Sequence, residues 1–75
     1  MQMTTEEYLQ WSKLRAIETL EYYKSPTQAF LSLCSDLGKH PELKKHLAIE
    51  LGTNLLLLGK INTIETMRRF IEDCN

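Results

Sequence analysis

Residues 51–58, Leu-Gly-Thr-Asn-Leu-Leu-Leu-Leu, constrain this chain more than any other stretch. Wound into a helix over 41–58, they make it apolar on two sides. Leu43, Leu47, Leu51, Leu55 and Leu58 form one stripe at helical spacing. Ala48, Ile49, Gly52 and Leu56 form a second, roughly opposite at about 100° per residue. A helix apolar around most of its girth is normally buried. Chains near 75 residues bury only about 60% of their unfolded surface, so little material is left to wrap such a helix. The pattern predicts burial against a second copy, with Ile49, Gly52 and Leu56 as the self-association residues. Ala48 and Gly52 would permit close approach of the two helices.

Helix punctuation is clear along the rest of the chain. Thr4 and Glu7 are spaced as a capping box, in which hydroxyl and carboxylate satisfy free N–H groups reciprocally. No Pro or Gly interrupts the segment from Thr5 to Tyr23. Ser25, Pro26 and Gln28 restart the pattern, with Ser25 as N-cap and proline at the first helical position. Phe30, Leu33, Cys34 and Leu37 then fall on one face, and Gly38 stands where a left-handed cap usually ends a helix. Proline after His40 starts a third helix at Pro41, expected to continue to Leu58 and stop at Gly59, in preference to two short helices broken near Gly52. Asn62 and Glu65 suggest a further capping box, followed by the stripe Ile64, Met67, Ile71 and Cys74 with Phe70 beside it. No period-2 alternation persists. The expectation is a single all-α domain of four helices, at about 5–23, 26–37, 41–58 and 63–73, joined by short turns.

Composition excludes several function classes. At 43% hydrophobic and 25% charged the chain reads as globular, and a net charge of −1 gives no global pull toward nucleic acid or an acidic membrane. Cys34 and Cys74 are too few for a disulfide framework. The first seven residues lack the basic and apolar regions of a secretory signal, and four leucines in a row fall far short of the roughly 20 residues that span a bilayer. A reduced, cytoplasmic protein is the expectation.

The first helix carries two faces. Leu9, Ala16, Ile17, Leu20 and Tyr23 read as a core stripe, whereas Tyr8, Trp11, Arg15 and Tyr22 cluster on another side. Trp, Tyr and Arg carry much of the binding energy at interfaces, because they bury large area and keep a polar tip. The competing reading is a core rim with Arg15 stacked over a ring. Lys39, His40, Lys44, Lys45 and His46 form a basic cluster near the third helix. With Arg68 and Arg69 this cluster supports an alternative reading, in which Lys39, Lys44 and Lys45 contact nucleic-acid phosphates. Against it, Glu42 and Glu50 offset the lysines, and basic charge at a helix start opposes the macrodipole. His46, one turn from Glu42 and Glu50 on a continuous helix, offers too few ligands for a metal. No phosphate loop, nucleophile elbow or supported Cys/His pair is present, so neither catalysis nor a cofactor is expected. The favoured reading is a non-catalytic regulator or adaptor that binds a larger protein through Tyr8, Trp11, Arg15 and Tyr22 and self-associates. Its scale also suits proteins that phages and plasmids encode to modify host machinery, an analogy of size that no residue carries.

Overall fold

The computed structural model describes residues 3–74 and shows four helices: α1 (Thr5–Tyr23), α2 (Pro26–Gly38), α3 (Leu47–Leu57) and α4 (Ile64–Glu72). No strand occurs among the described residues, and no helix is long and apolar enough to cross a membrane. The Thr4–Glu7 capping box forms in full. At α2 only the hydroxyl half is present, with Ser25 accepting from the Gln28 N–H at 3.2 Å. The α4 cap is shifted by one residue from the expected Asn62–Glu65 pair. Thr63 is the N-cap, and its box closes on Thr66, because a threonine at both positions lets each hydroxyl meet the other's backbone N–H.

Helix ends also differ from expectation in one respect. Gly38 is the last residue of α2 and is followed by Lys39 in right-handed conformation; the left-handed glycine is Gly59, at φ +75°. There the Gly59 N–H donates to the Leu56 carbonyl at 3.1 Å and the Lys60 N–H to the Leu55 carbonyl at 2.9 Å. These two bonds are the Schellman pattern, which satisfies the last carbonyls of α3.

Helices α1 and α2 run antiparallel, since the Tyr8 hydroxyl near one end of α1 reaches the Asp36 carbonyl near the far end of α2 at 2.7 Å. Helix α4 is also antiparallel to α1: Lys13 meets its end at Glu72 and Cys74, and Glu21 meets Arg68. Leu20, Leu33, Leu37, Met67 and Ile71 are fully enclosed between these three helices. Helix α3 packs through Gly52 against the rings of Phe30 from α2 and Phe70 from α4, which meet edge to face at 6.2 Å between centroids. Tyr23, expected in the core stripe, is instead exposed and packs edge-on against Tyr22 at 4.8 Å.

The third helix does not begin at Pro41. Residues 41–45 form turns, in which the Leu43 and Lys44 N–H groups donate to the His40 carbonyl and the Glu42 N–H to His40 Nδ1. His46 is the N-cap, with its Nδ1 accepting from the Ala48 N–H at 3.0 Å. Lysines at 44 and 45 disfavour a helix start electrostatically, while the turn lets Leu43 become buried as a plug. The Thr5 hydroxyl donates to the Glu42 carboxylate at 2.9 Å and ties this turn to α1. The presumed helical register of Glu42 with His46 is therefore absent.

The two-sided apolar pattern of α3 resolves into a definite inside and outside. Ala48 and Gly52 are buried, and Ile49, Leu55 and Leu56 are partly buried against the chain's own core. Leu47 and Leu58, at 71% and 70% exposure, and Leu51 and Leu57 face outward. Of Ile49, Gly52 and Leu56, expected to open toward a second copy, Gly52 is closed off within this chain, while Ile49 and Leu56 keep part of their surface exposed. Two phenylalanine rings of the same chain fill the space above Gly52, so the small residues serve internal packing and the leucines are left outside.

Candidate functional site

Tyr8, Trp11 and Arg15 lie at i, i+3 and i+7 on α1, and the structure brings all three together. The Tyr8 and Trp11 rings are 5.3 Å apart between centroids, and the Arg15 guanidinium lies 4.8 Å above the Trp11 ring. Such a cation–π contact contributes about 0.5–1 kcal/mol at an exposed site. Arg15 Nε is also 3.3 Å from Asp36 Oδ2. Asp36 is buried, at 3% exposure, and this oxygen has no hydrogen-bond donor, so the arginine neutralises it as an ion pair without a formed hydrogen bond. His40 completes the cluster, its ring 4.8 Å from that of Tyr8. Every polar anchor here points into the fold: the Tyr8 hydroxyl to a carbonyl, Arg15 to a carboxylate. Tyr8 and Trp11 keep part of their surface exposed, and about half of the Arg15 side chain meets solvent.

Tyr22 does not touch this cluster. It is 80% exposed and leans on Tyr23, two turns further along α1. A shallow depression lined by Arg15, Glu18, Thr19, Tyr22 and Tyr23 connects the two parts into one continuous surface. Asp36 and His40 are functional neighbours that sequence reasoning missed. A signal for Asp36 existed, because a carboxylate three residues after Leu33 sits on the apolar face of α2 and requires a cation from another element. For His40 no such signal existed, since its place follows from the 41–45 turns.

The basic residues of the nucleic-acid alternative are not gathered. Lys39, Lys44 and Lys45 are exposed near the turn that Glu42 fixes to Thr5, whereas Arg68 bonds Glu21 at 2.9 Å. Thr5 and Glu21 stand sixteen residues apart on one helix, about 24 Å at 1.5 Å per residue. Arg69 is exposed beside Arg68, with Glu65 and Glu72 lining the same depression. Opposite charges thus interleave with the arginines.

Lys13 is a third residue whose role the sequence did not disclose. It is buried, and its ammonium donates to the Glu72 carbonyl at 3.0 Å and the Cys74 carbonyl at 2.7 Å. These carbonyls lie at the C-terminal end of α4, where the helix dipole favours positive charge. Among the described residues no group of three metal-ligating side chains converges.

The cysteines are poor nucleophiles in this setting. Burial pushes the Cys34 thiol from its ordinary 9.0 up to about 11, and the nearby Cys74 adds to the rise. Burial also raises Cys74, against the lowering influence of Lys13. Both stay protonated near neutral pH, and the thiolate is the reactive form. Because the folded state favours protonated Cys34, its contribution is intact below pH 9 and is lost as pH rises through about 11. The urea midpoint of the wild-type chain should therefore fall further across that interval than the midpoint of Cys34→Ala. Parallel curves for the two proteins would contradict this.

No protein-family model, curated protein or solved structure matches this chain, and the functional reading rests on the geometry of its surfaces.

Proposed function

We propose that this chain is a small, non-catalytic regulator or adaptor that docks on a larger protein through the α1 surface of Tyr8, Trp11, Arg15 and Tyr22. The observation that carries this reading is the anchoring of Arg15 over Trp11 by the buried Asp36. An arginine held between a ring and a carboxylate has already lost much of its rotamer freedom, so a partner loses less entropy in binding it. Tyr8 is fixed in the same way by its bond to the Asp36 carbonyl. Rigid Trp, Tyr and Arg side chains clustered on a surface are the residue types that dominate interface energetics. Tyr22 and Tyr23 extend the patch along the helix with large aromatic area.

Chemistry is a weaker reading of the same residues. The polar atoms are turned toward partners inside the fold, and none is aligned on a second side chain as base on nucleophile. The test is a comparison of proteins captured from the native host by the wild-type chain and by Trp11→Ala, with far-UV circular dichroism confirming equal helicity. A hot-spot tryptophan is worth about 2 kcal/mol or more, which weakens the true partner roughly 30-fold. A partner retained at wild-type level by Trp11→Ala, with its affinity unchanged, would overturn the assignment of this face.

A further inference from the structure

We infer that the outward face of α3 pairs with the same face of a second copy of this chain, antiparallel about a two-fold axis. Leu58 of each copy sits in the groove beside Leu47 and Leu51 of the other. This surface is separate from the aromatic face of α1, and the inference stands without the docking proposed there.

Positions 47, 51, 54 and 58 advance by four, three and four residues, the spacing of a coiled-coil seam. Three of them are leucines left outside the fold, and the fourth is the exposed Asn54. None of the four seam positions is charged, while Glu50 flanks the seam and Asp73 lines the groove beside it.

The occupant follows from where the knobs and the hole lie. A groove of about 220 Å³ opens at the start of α3, between Leu47, Leu51, Phe70 and Asp73. It is smaller than the roughly 300–1,000 Å³ of typical small-molecule sites, and its walls are mainly apolar. Leu58 projects at the other end of the same helix, at 70% exposure, about 16 Å away at 1.5 Å per residue. Knob and hole thus stand at opposite ends of one element. A second helix laid antiparallel fills both holes with both knobs at once, and the contact closes on itself as an isologous dimer. A parallel pairing stacks knob on knob and leaves both grooves empty.

A small specific interface removes about 600 Å² from each partner, little more than a tenth of the 5189 Å² that this chain exposes. Leu57, at 81% exposure, adds apolar area at the C-terminal end of the seam. A contact built on one helix of three turns is small, so the dimer is weak and reversible.

Sedimentation velocity on the full chain, from about 10 µM to about 1 mM, should show a concentration-dependent dimer, within the affinity range expected for a small interface. Leu58→Lys should raise the dissociation constant at least tenfold. Its melting curve at low concentration should match wild type, because the side chain it replaces is exposed. A mixture of Leu47→Cys and Leu58→Cys chains should cross-link between unlike chains faster than either variant cross-links with itself. A monomer at every concentration, a dimer indifferent to Leu58→Lys, or preferential 47–47 cross-linking would each overturn the inference. The cross-linking arm keeps the test decisive if the lysine variant fails to fold. None of these outcomes bears on capture by Trp11.

Discussion

Replacing Gly52 with valine is expected to lower stability by about 3 kcal/mol, the upper part of the range for overpacked cores. A Cβ placed on Gly52 falls 2.7 Å from Phe30 Cζ and 2.9 Å from Phe70 Cζ, and closer still to Phe30 Cε1. These rings approach from two different helices and pack against each other. Phe30 is buried, so its ring has nowhere to swing without opening a void elsewhere. Helix propensity acts the other way, but valine gains only about 0.4 kcal/mol over glycine in a helix interior. Crowding wins. A domain of this length has total stability of roughly 4–11 kcal/mol, and the loss corresponds to a fall in Tm of about 12–24 °C. Alanine is the finer probe, since it gains about 1 kcal/mol of propensity against 1–3 kcal/mol of crowding. Thermal melts followed by circular dichroism should rank glycine above alanine above valine. A rise in Tm for either variant would show that the rings do not close over this position.

Lys13→Met should cost about 2 kcal/mol, or roughly 8–16 °C in Tm. Methionine keeps the length and apolar stem of lysine, so the packing of the α1 face changes little. What is lost is the ammonium that bonds the Glu72 and Cys74 carbonyls. Hydrogen bonds to a charged donor are worth about 1.5–3 kcal/mol, and removing the donor leaves carbonyls at the end of α4 short of a partner. The effect should be local as well as global. Amide exchange in the last turn of α4 should accelerate more than exchange at Leu20 or Leu33, which lie in the enclosed core. A variant as stable as wild type, with unchanged exchange near Ile71, would mean that solvent satisfies those carbonyls equally well.

The fold was largely legible in the sequence because its helix boundaries are written in local chemistry. Thr4 with Glu7, Ser25 before Pro26, and Gly59 after a leucine run each specify a terminus through groups within four residues. The error at the start of α3 has the opposite origin. Leu43 and Leu47 share helical spacing, yet burial of Leu43 beneath a turn tied to Thr5 depends on a segment nearly forty residues earlier. Periodicity found both stripes of α3 without revealing which faces inward. Hydropathy favours the leucines for the interior, but the space there is occupied by Phe30 and Phe70, and only Ala48 and Gly52 fit beneath them.

Of the α1 surface, Tyr8, Trp11 and Arg15 were readable from helical spacing alone, whereas Tyr22 shares the surface without touching them. Asp36 and His40 come from other elements, and no local pattern places them beside Tyr8. Lys13 illustrates the same limit. A lysine one turn after Leu9 reads as a solvated neighbour of the core, and only the approach of the α4 terminus gives its ammonium a buried role.

The orientation of α3 is the central claim, because it closes the Gly52 side with the chain's own rings and turns the leucine seam outward. Nuclear Overhauser contacts in a sample mixing labelled and unlabelled chains measure it most directly. Gly52 Hα should show contacts to the Phe30 and Phe70 rings within one chain, with an upfield shift from ring currents. Contacts from Gly52 to the unlabelled copy, or none to either ring, would contradict it.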